Sequence, residues 1–280
     1  MAQILDGKTL SKEIEAELME RVQKITAKGY SPKLAIMIVG NDYASQTYVK
    51  MKMNASKRIG IEPIKFQFDE TATTEQILKT LNKLNKDKNI AGIMLQHPIP
   101  KHIDERLIDD TITPSKDVDG LNSASFGAMA LGLTAFAPAT ALSIMTILHR
   151  YKIAIEGKRA VVIGRSAILG KPVSLMLLND NATVTICHSK TVNLPEIVSQ
   201  ADIVVAAVGK PKFVKAEWIK KGAVIIDAGY NEGNVGDVDL FNAAEISSAY
   251  TPVPGGVGPM TIAMLLEQTV TAAEKEFLNK

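Results

Sequence analysis

Apolar and polar positions fall along this chain in two alternating periods. Leu10, Ile14, Leu18, Val22 and Ile25 recur at helical intervals, which predicts an amphipathic first helix. Lys33–Val39 is a short apolar run after its first lysine, ending at Gly40, the pattern of a buried strand. A helix over about Tyr43–Arg58 follows, then a strand near 63–68, a helix near 74–84 and an apolar strand Ile90–Leu95. Further on, strands at Arg159–Ile163, 182–187, 202–206 and 223–227 return about every 20 residues, the βαβ rhythm of a doubly wound fold. A helix at Ala139–Arg150 is expected to bridge the two regions, and a last helix over 260–277 to return to the first. The expectation is an α/β protein of two domains with an active-site cleft between them. Residues 1–119, joined by the helix at 260–280, form an N-terminal α/β domain, and residues 120–259 a Rossmann-type doubly wound parallel sheet.

Composition narrows the function classes. A chain of 280 residues, 46% hydrophobic and 22% charged, has ample core for two domains. With 32 basic and 30 acidic side chains the net charge is +2, and no basic run or basic–aromatic interleaving occurs. Nucleic acid is therefore not an expected partner. One cysteine, Cys187, rules out an internal disulfide and suits a reducing compartment. The first residues carry no apolar signal core and no stretch reaches membrane-spanning length, so a cytoplasmic protein without a membrane partner is expected. Four scattered histidines offer no metal-ligand spacing, and no metal site is expected.

Candidate chemistry gathers at glycine-rich strand ends and on one helix. Residues 251–261 read Thr-Pro-Val-Pro-Gly-Gly-Val-Gly-Pro-Met-Thr, a stiff backbone wall poor in side chains. Such a wall suits a flat ligand against main-chain N–H groups, or simply a tight loop before a helix. The strand Arg159–Ile163 runs into Gly164-Arg165-Ser166, with Gly170 at the start of the next helix. A pyrophosphate fits such a turn, although the spacing is not Gly-x-Gly-x-x-Gly. The next strand ends in Cys187-His188-Ser189-Lys190, with no carboxylate to hold a ribose 2′-hydroxyl. Arg165, Ser189 and Lys190 favour a 2′-phosphate, hence NADP over NAD. His188 reads as structural or phosphate-facing, and Cys187 as packing. Glycines at Gly209 and Gly229-Tyr230 continue the groove. On the helix after Gly40, Ser45, Tyr48 and Lys52 share a face. Lys52 beside a ring is either an acid–base group or part of a solvated face with Lys50, Lys57 and Arg58. Gln96 at a strand end can orient a lysine without adding charge. His97 reads as a loop residue, and Asp119 as either a hydrogen-bond acceptor for a nitrogen heterocycle or a turn residue before Gly120.

Taken in order, these segments resemble the bifunctional methylenetetrahydrofolate dehydrogenase/methenyltetrahydrofolate cyclohydrolase family, the FolD type, over nearly the whole chain. Tyr48-Val49-Lys50-Met51-Lys52 is similar to its Tyr-x-x-x-Lys, and Gln96-His97-Pro98-Ile99-Pro100 to its Gln-x-Pro-x-Pro. Lys116-Asp117-Val118-Asp119-Gly120, Gly164-Arg165-Ser166, Cys187-His188-Ser189 and residues 251–261 align as well. The resemblance implies folate bound by Ser45, Tyr48, Asp119, Pro254, Gly255 and Gly256. It implies Lys52 as the principal cyclohydrolase residue, oriented by Gln96, with Tyr48 positioning the ring and Asp119 near the pterin. NADP would meet Gly164, Arg165, Ser166, Ser189 and Tyr230, and the protein would be a homodimer through its nucleotide domain. The chain departs from the family at Pro138-Ala139-Thr140-Ala141-Leu142-Ser143, where a Pro-Cys-Thr-Pro-x-Gly is usual, and at His97 and Tyr230. Rival readings are a dehydrogenase without cyclohydrolase activity, a non-catalytic folate- or nucleotide-binding protein, and a shikimate-type dehydrogenase.

Overall fold

The computed structural model describes residues 2–278, so Asn279 and Lys280, the end of the helix expected over 260–280, lie outside the described residues. The chain divides into two compact units. Unit 1 takes the chain up to Lys12, Ala130–Gly132 and Pro138–Thr261; unit 2 takes Glu13–Met129, Leu133–Ala137 and the chain from Ile262 onward.

Unit 2 is built on a parallel sheet of β2 (Lys33–Val39), β3 (Glu62–Phe68) and β4 (Ile90–Leu95) in the order β3-β2-β4, after β1 (Gln3–Ile4) of unit 1. The central strand β2 and edge strand β4 are buried nearly throughout, while the other edge strand, β3, has no fully buried residue. Helix α1 (Gly7–Thr26) begins in unit 1 and runs into unit 2, which also holds α2 (Tyr43–Arg58), α3 (Thr74–Lys86), α4 (Glu105–Thr111) and most of α5 (Ser123–Ala130). Side-chain caps set the starts: Asp42 accepts from Ser45 N at 2.8 Å, and Thr73 with Gln76 forms a capping box. Ile77, Leu81 and Leu84 of α3 and Ile108 of α4 close over Ala35, Met37, Ile93 and Leu95.

Unit 1 carries α6 (Ala139–Arg150), β5 (Arg159–Ile163), α7 (Gly170–Asn179), β6 (Thr183–Cys187), α8 (Leu194–Val198), β7 (Ile203–Ala206), β8 (Val224–Asp227), α9 (Leu240–Ile246) and β9 (Ala249–Tyr250). The strands form one parallel sheet in the order β1-β9-β8-β7-β5-β6. Strand order reverses between β5 and β7, the switch point at which open α/β sheets bind ligands. The expected doubly wound architecture is borne out. Helix α6, expected to bridge the two regions, lies wholly in unit 1, where it packs on α7. Helix α10 (Val257–Phe277) starts three residues before its expected position and passes into unit 2 at Ile262. There Arg21 of α1 grips Glu274 with two hydrogen bonds of 2.9 and 2.7 Å and adds one to Thr271.

Candidate active site

The face of α2 that turns inward carries Ser45, Val49, Lys52 and Ser56, at intervals of three and four residues. Lys50, Lys57 and Arg58 are exposed, so the solvated-face reading describes them and not Lys52, which is only 8% exposed. Its ammonium nitrogen lies 3.0 Å from Gln96 Oε1. Gln96 is the first residue past β4, and its backbone N–H donates to Met37 O of β2 at 2.8 Å, so the sheet fixes where its side chain begins. Its Nε2 donates to His97 O at 2.7 Å, which leaves Oε1 to face the lysine. Burial pushes the Lys52 pKa below the ordinary lysine value, and the Asp119 carboxylate pulls it back in part. A neutral amine is thereby accessible where a solvated lysine would stay charged.

The other candidates of unit 2 take distinct stations. Tyr48, one turn before Lys52, keeps 37% of its surface exposed, whereas the buried Ser45 Oγ has no hydrogen-bond partner among the described residues. Asp119 is half-buried, and its neighbour Asp117 takes the turn role weighed for Asp119 in the sequence. The Asp117 carboxylate accepts from Leu121 N and Asn122 N at 3.1 and 2.9 Å, and burial lifts its pKa to about 6 against those donors. The segment ahead of Asp119 is anchored twice. Lys116 O accepts from Ile93 N of β4 at 2.8 Å, and Val118 O accepts from Gln268 Nε2 of α10 at 2.8 Å. Gln268 also bonds both the N–H and the C=O of Ala137.

In unit 1 the strand registers align Ile163 with both Cys187 and Ala206, and Ala206 with Asp227. The segments that begin at Gly164, His188, Ala207 and Ala228 therefore share the C-terminal edge of one sheet. Gly164 has φ +135°, and a Cβ there would overlap the Ala207 carbonyl at the switch point. Glycine is thus required by a close backbone approach. Arg165, Ser166 and Ser189 are exposed beyond these strand ends. His188 Nδ1 accepts from Lys190 N at 3.1 Å, a structural role within its turn, while Cys187 is fully buried as packing. The Tyr230 ring is exposed, with its hydroxyl donating to Asn234 Oδ1 at 2.7 Å.

Pro254, Gly255 and Gly256 leave β9 on the way to α10. Lys8 N donates to Gly255 O at 2.8 Å, and a Cβ on Gly7 would overlap the Gly256 carbonyl. Part of the glycine content is therefore a packing requirement against the start of α1, while Pro254 faces outward.

Three groups escape sequence reading. Asp237 is fully buried, and its carboxylate collects the N–H groups of Val208, Gly209 and Lys210 at 2.6, 2.9 and 2.9 Å. Asp227 likewise accepts from Gly229, Asp237 and Val238 N–H groups, each at 2.9 Å, and burial raises its pKa to about 6. Thr251 Oγ1 accepts from Asp227 N at 2.8 Å. The signal was present as two aspartates flanking a loop with Gly229, Gly233 and Gly236, but only the fold brings them to the same backbone. The third group is His97, Glu105 and Asp109, whose potential ligand atoms lie within 4.8 Å of one another.

A doubly wound sheet with an open switch point, joined in one chain to an α/β unit holding a buried lysine, defines a two-unit nucleotide-dependent enzyme of the α/β class. The chain belongs to the tetrahydrofolate dehydrogenase/cyclohydrolase family: the family's catalytic domain matches residues 5–119 and its NAD(P)-binding domain residues 138–277. It is 56% identical over 276 residues to the bifunctional protein FolD of Cellvibrio japonicus, covering 98% of this chain and 99% of that one. Among solved structures it is similar to the bifunctional enzyme FolD, methylenetetrahydrofolate dehydrogenase/cyclohydrolase, of Campylobacter jejuni (44% identity, TM-score 0.97, 98% and 99% of the two chains). It is also similar to the Trypanosoma brucei methylenetetrahydrofolate dehydrogenase-cyclohydrolase complexed with NADP cofactor and inhibitor (36% identity, TM-score 0.94, 98% of each chain).

Proposed function

We propose that this chain oxidises 5,10-methylenetetrahydrofolate to 5,10-methenyltetrahydrofolate with NADP and then hydrolyses the product to 10-formyltetrahydrofolate. The observation that carries the reading is the buried Lys52–Gln96 pair, in a chain whose two regions match the two domains of the family.

The NADP assignment is supported by Gly164, whose missing Cβ lets the turn after β5 pack against the Ala207 carbonyl at the switch point, and by the exposed Arg165, Ser166 and Ser189 in place of an acidic residue. Gly164 and Ser166 would take the pyrophosphate, Arg165 and Ser189 the 2′-phosphate, and Tyr230 the nicotinamide side. When bound, NADP accepts hydride from the one-carbon bridge of the folate. Asp119 receives the nitrogen edge of the pterin, Tyr48 and Ser45 set its approach, and Pro254, Gly255 and Gly256 keep the backbone-contact role that the resemblance gives them. For hydrolysis, neutral Lys52 takes a proton as water adds to the methenyl carbon, then returns one to the departing ring nitrogen as the carbon–nitrogen bond opens. Gln96 holds the amine for both transfers without adding a charge that would pin it as ammonium.

The assembly is a homodimer formed through unit 1, a reading supported by edge strand β6, and its compartment is the cytoplasm, as the lone buried thiol suits. Among the described residues no helix is long and apolar enough to cross a membrane.

The test mixes purified protein with 5,10-methylenetetrahydrofolate and either NADP or NAD, following reduced cofactor and the methenyl chromophore together. Reduced NADP with little methenyl accumulation is expected. Methenyl rising in step with NADPH would leave a dehydrogenase alone, and no turnover with either cofactor would overturn the assignment.

A further inference from the structure

The residue after Gln96 opens a second polar cluster. His97 Nδ1 lies 3.3 Å from Glu105 Oε1, and Glu105 and Asp109 stand one turn apart on the same face of α4. One nitrogen of His97 and one carboxylate oxygen from each acid lie within 4.8 Å of one another. Two atoms of this cluster, His97 Nε2 and Asp109 Oδ1, are buried with no hydrogen-bond partner among the described residues. Asp109 is only 3% exposed. Its one basic neighbour, Arg106, reaches Oδ2 at 3.7 Å but is committed to Asp110 at 2.9 and 3.0 Å and to the Leu121 carbonyl. A buried carboxylate oxygen and a buried imidazole nitrogen are each costly to leave unpaired. A cation held in this cluster gives the buried Asp109 carboxylate a partner of opposite charge.

We propose that His97, Glu105 and Asp109 form a binding site for a divalent cation of the zinc class. One imidazole nitrogen and two carboxylate oxygens are the mixed donor set that zinc takes, with water completing its shell. The imidazole argues against magnesium or calcium, which prefer oxygen alone. The sequence spacing conceals the site, because one ligand comes from a loop and the other two become neighbours only when α4 folds. A filled site holds the residue whose carbonyl accepts from Gln96 Nε2 at 2.7 Å, so the metal stiffens the loop that aims Gln96.

Chelator-treated full-length protein titrated with zinc chloride in a calorimeter tests the site without substrate or cofactor, so its outcome is independent of the enzymatic assignment. Stoichiometric binding is expected in the native chain, weakened about tenfold or more in Glu105→Gln, which alters a half-exposed side chain and leaves the core intact. Cobalt substitution should give d–d absorption in the native chain and lose it in His97→Leu. Equal zinc binding by native and Glu105→Gln chains would assign the metal to other histidines, such as His149 beside Asp180, and overturn the proposal. So would the absence of stoichiometric binding, or a cobalt-soaked crystal with only water between the three side chains.

Discussion

Lys52 sits where stability and chemistry pull in opposite directions. An ammonium this deeply buried costs solvation free energy that one amide oxygen recovers only in part. Lys52→Met should therefore raise folding stability by about 1–2 kcal/mol while removing the hydrolysis of methenyltetrahydrofolate, by about a hundredfold or more, and sparing hydride transfer. Chemical denaturation and the two separated assays check this; unchanged hydrolysis would remove Lys52 from the mechanism. The pH dependence has a definite sign. Because burial lowers the Lys52 pKa from 10.5, the folded chain binds fewer protons than the unfolded one between the lowered value and 10.5. The contribution of this group to stability thus rises with pH across that window. Hydrolysis should rise with pH as the amine is freed and level off before the ordinary lysine range, a limb that Lys52→Met lacks.

Among the elements, α10 is set apart by one buried amide side chain. Gln268 makes three hydrogen bonds of 2.8–2.9 Å that hold Val118 O and both backbone groups of Ala137. Gln268→Ala leaves a donor and two acceptors unpaired in the core, at a cost of about 2–4 kcal/mol. With Val118 released, Asp119 loses its backing, so KM for folate should rise more than kcat falls; a change in kcat alone would sink this role. Much of the element pattern was legible beforehand. Strands β2, β4 and β5 were read to their observed ends because each is a short apolar run closed by a glycine or a polar residue. The two-residue strands β1 and β9 were not, since β1 is a strand only through β9, and β9 through β1 and β8, all distant in sequence. Helix α4 also escaped, being seven residues long and polar outside Leu107 and Ile108. Of the candidate site, Lys52 was singled out from spacing and Gln96 from its place at a strand end, but the burial that lowers the Lys52 pKa was not legible. A helix face reads the same in sequence whether water or a strand end lies against it. Asp237 was missed for a related reason: three consecutive N–H groups find its carboxylate only across the fold.

At the scale of the whole molecule, the sheet of unit 1 ends on one side at β6, whose outer backbone groups have no neighbouring strand among the described residues. Ile186 on that strand is 42% exposed. An open edge of this kind pairs with a second copy unless charge prevents it. Light scattering should find a dimer, and Ile186→Lys should shift it toward monomer; a native chain that is monomeric at micromolar concentration would refute the assembly. At the opposite side of the same sheet, Gln3 and Ile4 pair with Ala249 and Tyr250. Helix α1, which follows at once, is clasped through Arg21 by Glu274. On the ribosome, then, β1 waits for β9 before it can pair, and unit 2 waits for the part of α10 that carries Glu274. Such long-range closure slows folding and lengthens the exposure of unpaired backbone. A nascent chain arrested before residue 249 has every catalytic candidate of unit 2 in hand, yet lacks the partner strand and the helix that would make them a folded protein.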